Sequence, residues 1–128
     1  MLNAGIIGNG SIVKNWILGT QESSAVRICS AYVRKDNKKK FFEEFQIEKI
    51  FQDLEEFLAD PEIDLVYIAL PNSLHYEYAL KSLRAGKHVL LEKPFATNYK
   101  EASHLFEEAE KHSVFIFEGI CNLYNPNF

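Results

Sequence analysis

Two segments of this chain combine residue types that do chemistry. An apolar stretch, Ala4-Gly5-Ile6-Ile7, runs straight into Gly8-Asn9-Gly10-Ser11-Ile12, and much later His88-Val89-Leu90-Leu91 runs into Glu92-Lys93-Pro94. In the first, Gly8 permits a sharp exit from a strand, and Gly10, lacking a side chain, lets the backbone come close to a bound pyrophosphate. The helix that follows, from about Ser11, turns unpaired N–H groups and the positive end of its dipole toward such an anion. In the second, Lys93 puts an ammonium group at a strand end, near where the reactive end of such a cofactor would lie. Together the segments point to a nicotinamide dinucleotide, with its diphosphate at the first and its reactive ring at the second.

The residues at the end of the next apolar run bear on which dinucleotide. A carboxylate ~20 residues past the glycines normally takes the ribose hydroxyls of NAD. Here that position holds Val33-Arg34-Lys35, and no acid comes before Asp36, in the loop beyond. Arg34 offers a planar fork suited to a phosphate, and Lys35 and Lys38 add charge beside it. The pattern leans to NADP and leaves NAD open. The position of the usual third glycine is taken by Val13, which predicts a helix set slightly farther from its strand.

Six apolar runs position these residues: Ala4 to Gly8, Val26 to Val33, Lys49 to Phe51, Leu65 to Leu70, His88 to Leu91 and Val114 to Phe117. Most are continuously apolar, as strands covered on both faces should be. Stretches of helical period lie between them. From Ser73 to Ala85, Tyr76, Ala79, Leu80 and Leu83 recur at spacings of three and four, and Gly86 suits a left-handed cap. Near Asn98, whose side chain can cap while Glu101 reaches back, a helix begins with Tyr99, Ala102, Phe106 and Ala109 as its expected apolar face. Asp60-Pro61 closes the helix before the fourth strand. Such alternation predicts an α/β fold, a doubly wound parallel sheet of six strands in the order 3-2-1-4-5-6, of the Rossmann type. Ligands then bind at the carboxyl ends of the strands, where the order reverses.

With 128 residues, 47% of them hydrophobic and 25% charged, the chain has the composition of a folded globular domain. Its net charge of -4 argues against general affinity for nucleic acid. No apolar run approaches the ~20 residues of a membrane span, and no secretory signal opens the chain, so a cytoplasmic location without membrane attachment is expected. Cys29 and Cys121 lack paired spacing and read as reduced thiols. His88, His104 and His112 have no partner ligands at metal spacing, so no metal site is expected. Phe41, Phe42 and Phe45 follow helical spacing and read as core.

Leu70-Pro71-Asn72-Ser73-Leu74-His75 follows the fourth strand, and Leu91-Glu92-Lys93-Pro94-Phe95 the fifth, with Ala85-Gly86-Lys87-His88-Val89-Leu90 between them. These segments resemble the N-terminal half of the Gfo/Idh/MocA family, the glucose-fructose oxidoreductase and inositol dehydrogenase group, and the resemblance runs from Gly5 to about Pro126. It implies that Lys93, flanked by Glu92 and Pro94, sits by the nicotinamide and helps orient or polarise the substrate oxygen. It also implies that Pro71, Asn72 and His75 line the ribose and nicotinamide side of the cofactor. Leu70 stands where members commonly carry threonine, so that hydroxyl is absent.

The resemblance implies a cofactor domain over 1–122 of an NAD(P)-dependent oxidoreductase, acting on the alcohol or carbonyl group of a sugar-like or polyol substrate. Residues 123–128 are expected to begin the crossover to a second domain, absent from this sequence, that would supply the proton donor and half the pocket. The segment alone should therefore turn over little or nothing. Members usually dimerise through that second domain, so any homo-oligomer here should be weaker or different. The competing reading is a stand-alone, non-catalytic nucleotide-binding or scaffold module, since the fold hosts many functions.

Overall fold

In a computed structural model of the chain, residues 2–8, 11–34, 38–47, 49–70, 72–92 and 98–119 are described. The apolar runs become strands β1 (Leu2–Gly8), β2 (Val26–Tyr32), β3 (Ile50–Phe51), β4 (Leu65–Ala69), β5 (His88–Glu92) and β6 (Ile116–Gly119). All pair in parallel, in the order β3-β2-β1-β4-β5-β6. Between them run α1 (Ser11–Gln21), α2 (Lys39–Glu43), α3 (Leu54–Ala59), α4 (Asn72–Arg84) and α5 (Tyr99–Lys111).

Successive strand residues point to opposite faces, and here both faces are covered. Ile7, Val66, Ile68, Val89 and Leu91 pack against Phe57 of α3, Leu83 of α4 and Leu105 of α5. Their neighbours Ile6, Ala31 and Tyr67 pack against Val13 and Ile17 of α1 and Phe42 of α2. This double burial is why the runs show no polar alternation. Each fully buried aliphatic side chain contributes about 1.5–3 kcal/mol, so the sheet holds the loops at its edge on a stiff base. Phe41 meets Phe42 and Phe45 edge-on at 5.0 and 5.5 Å, a core arrangement.

Local signals set the helix ends. The Asn98 side chain accepts a hydrogen bond from the Glu101 N–H at 2.9 Å, and Asp53 accepts one from the Glu56 N–H at 3.0 Å. Gly86, at φ +80, follows α4. Asp60 leaves helical geometry at φ −67, ψ 115, just before Pro61.

The apolar face expected for α5 is corrected by the structure. Ala109 is buried as expected, but Tyr99 and Phe106 are 85% and 56% exposed, and Leu105 and Glu108 are buried in their place. The displaced stripe follows from Glu108, an acid that the pattern assigns to solvent. It is drawn under α4 by Arg84 at 3.4 Å and by the imidazoles of His104 and His112 at 3.4 and 3.3 Å, and the Arg84 hydrogen bond holds its carboxyl below the usual range. The last strand also starts later than the run Val114 to Phe117 suggests, because the Val114 N–H is spent on the Ala109 carbonyl at the end of α5.

Cys29 lies in β2 with its sulfur 3.4 Å from the Ala4 carbonyl oxygen, and burial pushes its thiol pKa up. Cys121 lies outside the described residues. Among the described residues no helix is long and apolar enough to cross a membrane, and no cluster of His, Cys, Asp and Glu is arranged to hold a metal ion.

Candidate functional site

The strand order reverses between β1 and β4, and their carboxyl ends lie side by side, Gly8 opposite Ala69. Gly8 has φ +121, and a Cβ placed there would stand 2.4 Å from the Ala69 carbonyl oxygen. Both observations demand glycine, one for backbone conformation and one for space. Helices α1 and α4 begin just beyond, at Ser11 and Asn72, and the first-turn N–H groups of each have no partner within the helix. The crevice therefore gathers two positive dipole ends over one glycine exit. Val13, in place of a third glycine, is completely buried against the sheet.

After β4, Leu70 is half-buried, and His75 in the second turn of α4 is 1% exposed. The His75 Nε2 donates to the Leu70 carbonyl at 2.6 Å, tying the start of α4 back to the strand end. At the end of β5, Glu92 is 7% exposed. A buried carboxyl needs a donor, and the Tyr67 hydroxyl supplies one at 2.7 Å. The Tyr67 ring in turn lies flat on Trp16 of α1, with centroids 4.1 Å apart and planes 11° from parallel. At the end of β2, Val33 is buried and Arg34 is exposed.

The fold thus brings Gly8, Leu70, His75 and Glu92, together with the backbone at Ser11, Ile12 and Asn72, to one edge of the sheet, with Arg34 farther along it. Asn9, Gly10, Lys35, Pro71, Lys93 and Pro94 lie outside the described residues. Sequence reasoning missed Tyr67 and Trp16. A tyrosine inside a strand buried on both faces was the available signal, since its hydroxyl must find a partner.

The opposite edge of the sheet is organised differently. The Lys87 ammonium donates to the Asp60 and Ile63 carbonyls at 2.7 and 2.8 Å, and burial pushes its pKa down. A cavity of about 270 Å³, lined by Ile17, Thr20, Val26, Ile28 and Ile47 among others, opens between α1, β2 and the end of α2, away from Gly8 and Glu92.

A six-stranded, doubly wound sheet with a glycine exit and two helix N-termini at its switch point defines a Rossmann-type nucleotide-binding domain. The chain belongs to the Gfo/Idh/MocA oxidoreductase family, whose NAD-binding Rossmann-fold model matches residues 2–120. It is 33% identical to the NADP(+)-dependent scyllo-inositol 2-dehydrogenase IolU of Bacillus subtilis, over all of this chain and 39% of that protein. Among solved structures it is similar to KijD10, a 3-ketoreductase from Actinomadura kijaniata in complex with TDP-benzene and NADP. The TM-score there is 0.89 at 30% identity, over 98% of this chain and 40% of that one. It is also similar to the biliverdin reductase of Synechocystis in complex with biliverdin and NADP+, with TM-score 0.85 and 30% identity over 95% of this chain and 39% of that one. The chain spans about two fifths of the length of these relatives.

Proposed function

We propose that this chain is the cofactor domain of an NADP-preferring oxidoreductase that acts on the alcohol or carbonyl group of a sugar-like or polyol substrate. One observation carries the reading: Gly8, held at φ +121 against the Ala69 carbonyl, opens the crevice at which α1 and α4 begin. Backbone N–H groups from Gly8 to Ile12 would hold the diphosphate, Asn9 and Gly10 forming the turn. Arg34 and Lys35 would take the extra phosphate of NADP. A bound nicotinamide supplies or accepts the hydride. Leu70, Pro71 and Asn72 would line its side of the crevice, and His75, buried and bonded to the Leu70 carbonyl, would serve the cofactor by fixing Leu70. Lys93, between Glu92 and Pro94, holds its ammonium toward the substrate oxygen and stabilises charge there. The relatives named for NADP, for inositol dehydrogenation and for 3-keto reduction support the same reading.

Residues 1–122 form the cofactor domain in this proposal, and 123–128 begin the passage to a second domain that completes the substrate pocket. The test is a fluorescence titration of the protein with NADPH and NADH. NADPH should bind more tightly, and Arg34→Ala should abolish the difference. Equal affinities in the parent would reject the assignment of the basic loop.

A further inference from the structure

Tyr67 and Trp16 stand outside every motif that defines the site, yet they join its two halves. The parallel register pairs Tyr67 with Leu90, so Glu92 lies two residues nearer the carboxyl edge on the same face, within reach of a tyrosine side chain. The Tyr67 ring is fully buried, its hydroxyl is 2.7 Å from Glu92 Oε1, and its other face carries Trp16. Trp16 belongs to the helix that opens at the glycine exit, and Glu92 is the last residue of β5, next in sequence to Lys93.

We infer that Tyr67 is a positioning residue: braced by Trp16, its hydroxyl anchors the Glu92 carboxyl and so sets where the backbone leaves β5 for Lys93. The inference rests on the proposal that Lys93 serves the reaction. A dry, hydrogen-bonded carboxyl at a strand end has one low-energy position, because moving it would strand a buried polar group at a cost of about 1–3 kcal/mol.

The test uses the full-length protein after reductive methylation with 13C-formaldehyde. The dimethyl-Lys93 signal is assigned by its loss in Lys93→Arg and followed by NMR against pH. Tyr67→Phe keeps the ring and its stack on Trp16 and removes the hydroxyl that donates to Glu92. It should move the Lys93 titration midpoint by about half a pH unit, a threefold change in proton affinity, with NADPH affinity held within about threefold. Gly86→Ala, which strains the left-handed residue after α4 at the opposite end of β5 from Glu92, controls for loss of stability and should leave the midpoint where it is. An unmoved midpoint in Tyr67→Phe overturns the inference. Should that variant not fold, Trp16→Phe decides by the same criterion. Failure of NADPH to perturb the Lys93 signal in the parent would instead sink the proposed role of Lys93, and the Tyr67 effect would still be readable.

Discussion

Replacing Gly8 with alanine should be among the most damaging single-methyl additions this domain can receive. At φ +121 an L-residue is strained by about 1–3 kcal/mol. The added Cβ would also lie 2.4 Å from the Ala69 carbonyl oxygen, a backbone atom that cannot rotate away, so the central β1–β4 ladder must open locally at about 1 kcal/mol per hydrogen bond weakened. The sum is about 3–5 kcal/mol, a large share of the ~5–15 kcal/mol that holds an ordinary domain together, and it should lower Tm by about 15 °C. Two other glycines calibrate the argument. Gly86 has φ +80, but a methyl group added there would meet nothing within 4 Å, so Gly86→Ala should cost only the ~1–2 kcal/mol of left-handed backbone. Gly19, inside α1 with open space around it, should gain ~0.5–1 kcal/mol on conversion to alanine. Urea unfolding followed by the fluorescence of Trp16, the single tryptophan, reads all three. Should Gly8→Ala prove no worse than Gly86→Ala, the close approach of β4 would not matter and the reasoning would be refuted.

Further expectations concern the caps, the acid limb and the site. Asn98→Ala removes the acceptor of the Glu101 N–H and should destabilise the domain by ~1 kcal/mol in the same urea assay. Burial pushes the Asp60 carboxyl up, but hydrogen bonds from Lys49 and the Glu62 N–H outweigh it and leave it below its ordinary 3.8; Arg84 holds Glu108 below its ordinary 4.5. Both groups bind protons less readily when folded, so their stabilisation is complete above those ordinary values and is lost as pH falls through the lower folded ones. Thermal scans from pH 5 to pH 3 should show a decline that Lys49→Met with Arg84→Met makes shallower. In the oxidoreductase proposed to carry this domain, Lys93→Ala should lower kcat by orders of magnitude while NADPH affinity, read by fluorescence, stays near the parent value; unchanged turnover would remove Lys93 from the reaction.

The succession of elements and the position of the glycine exit were readable in the chain because both are local facts. Continuous apolar runs announce strands buried on two faces, the helical period between them dictates crossovers, and right-handed connection leaves few ways to assemble the sheet. Asn98, Asp60-Pro61 and Gly86 acted as punctuation because each governs its own backbone or that of residues within a turn of it. The face of α5 could not be read this way. Glu108 is buried against Arg84, which reaches it from α4, far away in sequence, and a pattern that assigns acids to solvent has no access to that partner. The clasp of Trp16, Tyr67 and Glu92 was hidden for the same reason, since a phenol in an apolar run looks like one more core residue until the sheet register puts a carboxyl within reach of its hydroxyl. Short-range sterics and periodicity therefore determined the scaffold and the places where it turns, whereas the pairing of buried polar groups was decided by tertiary packing, because their desolvation is offset only by partners that the fold brings from elsewhere in the chain.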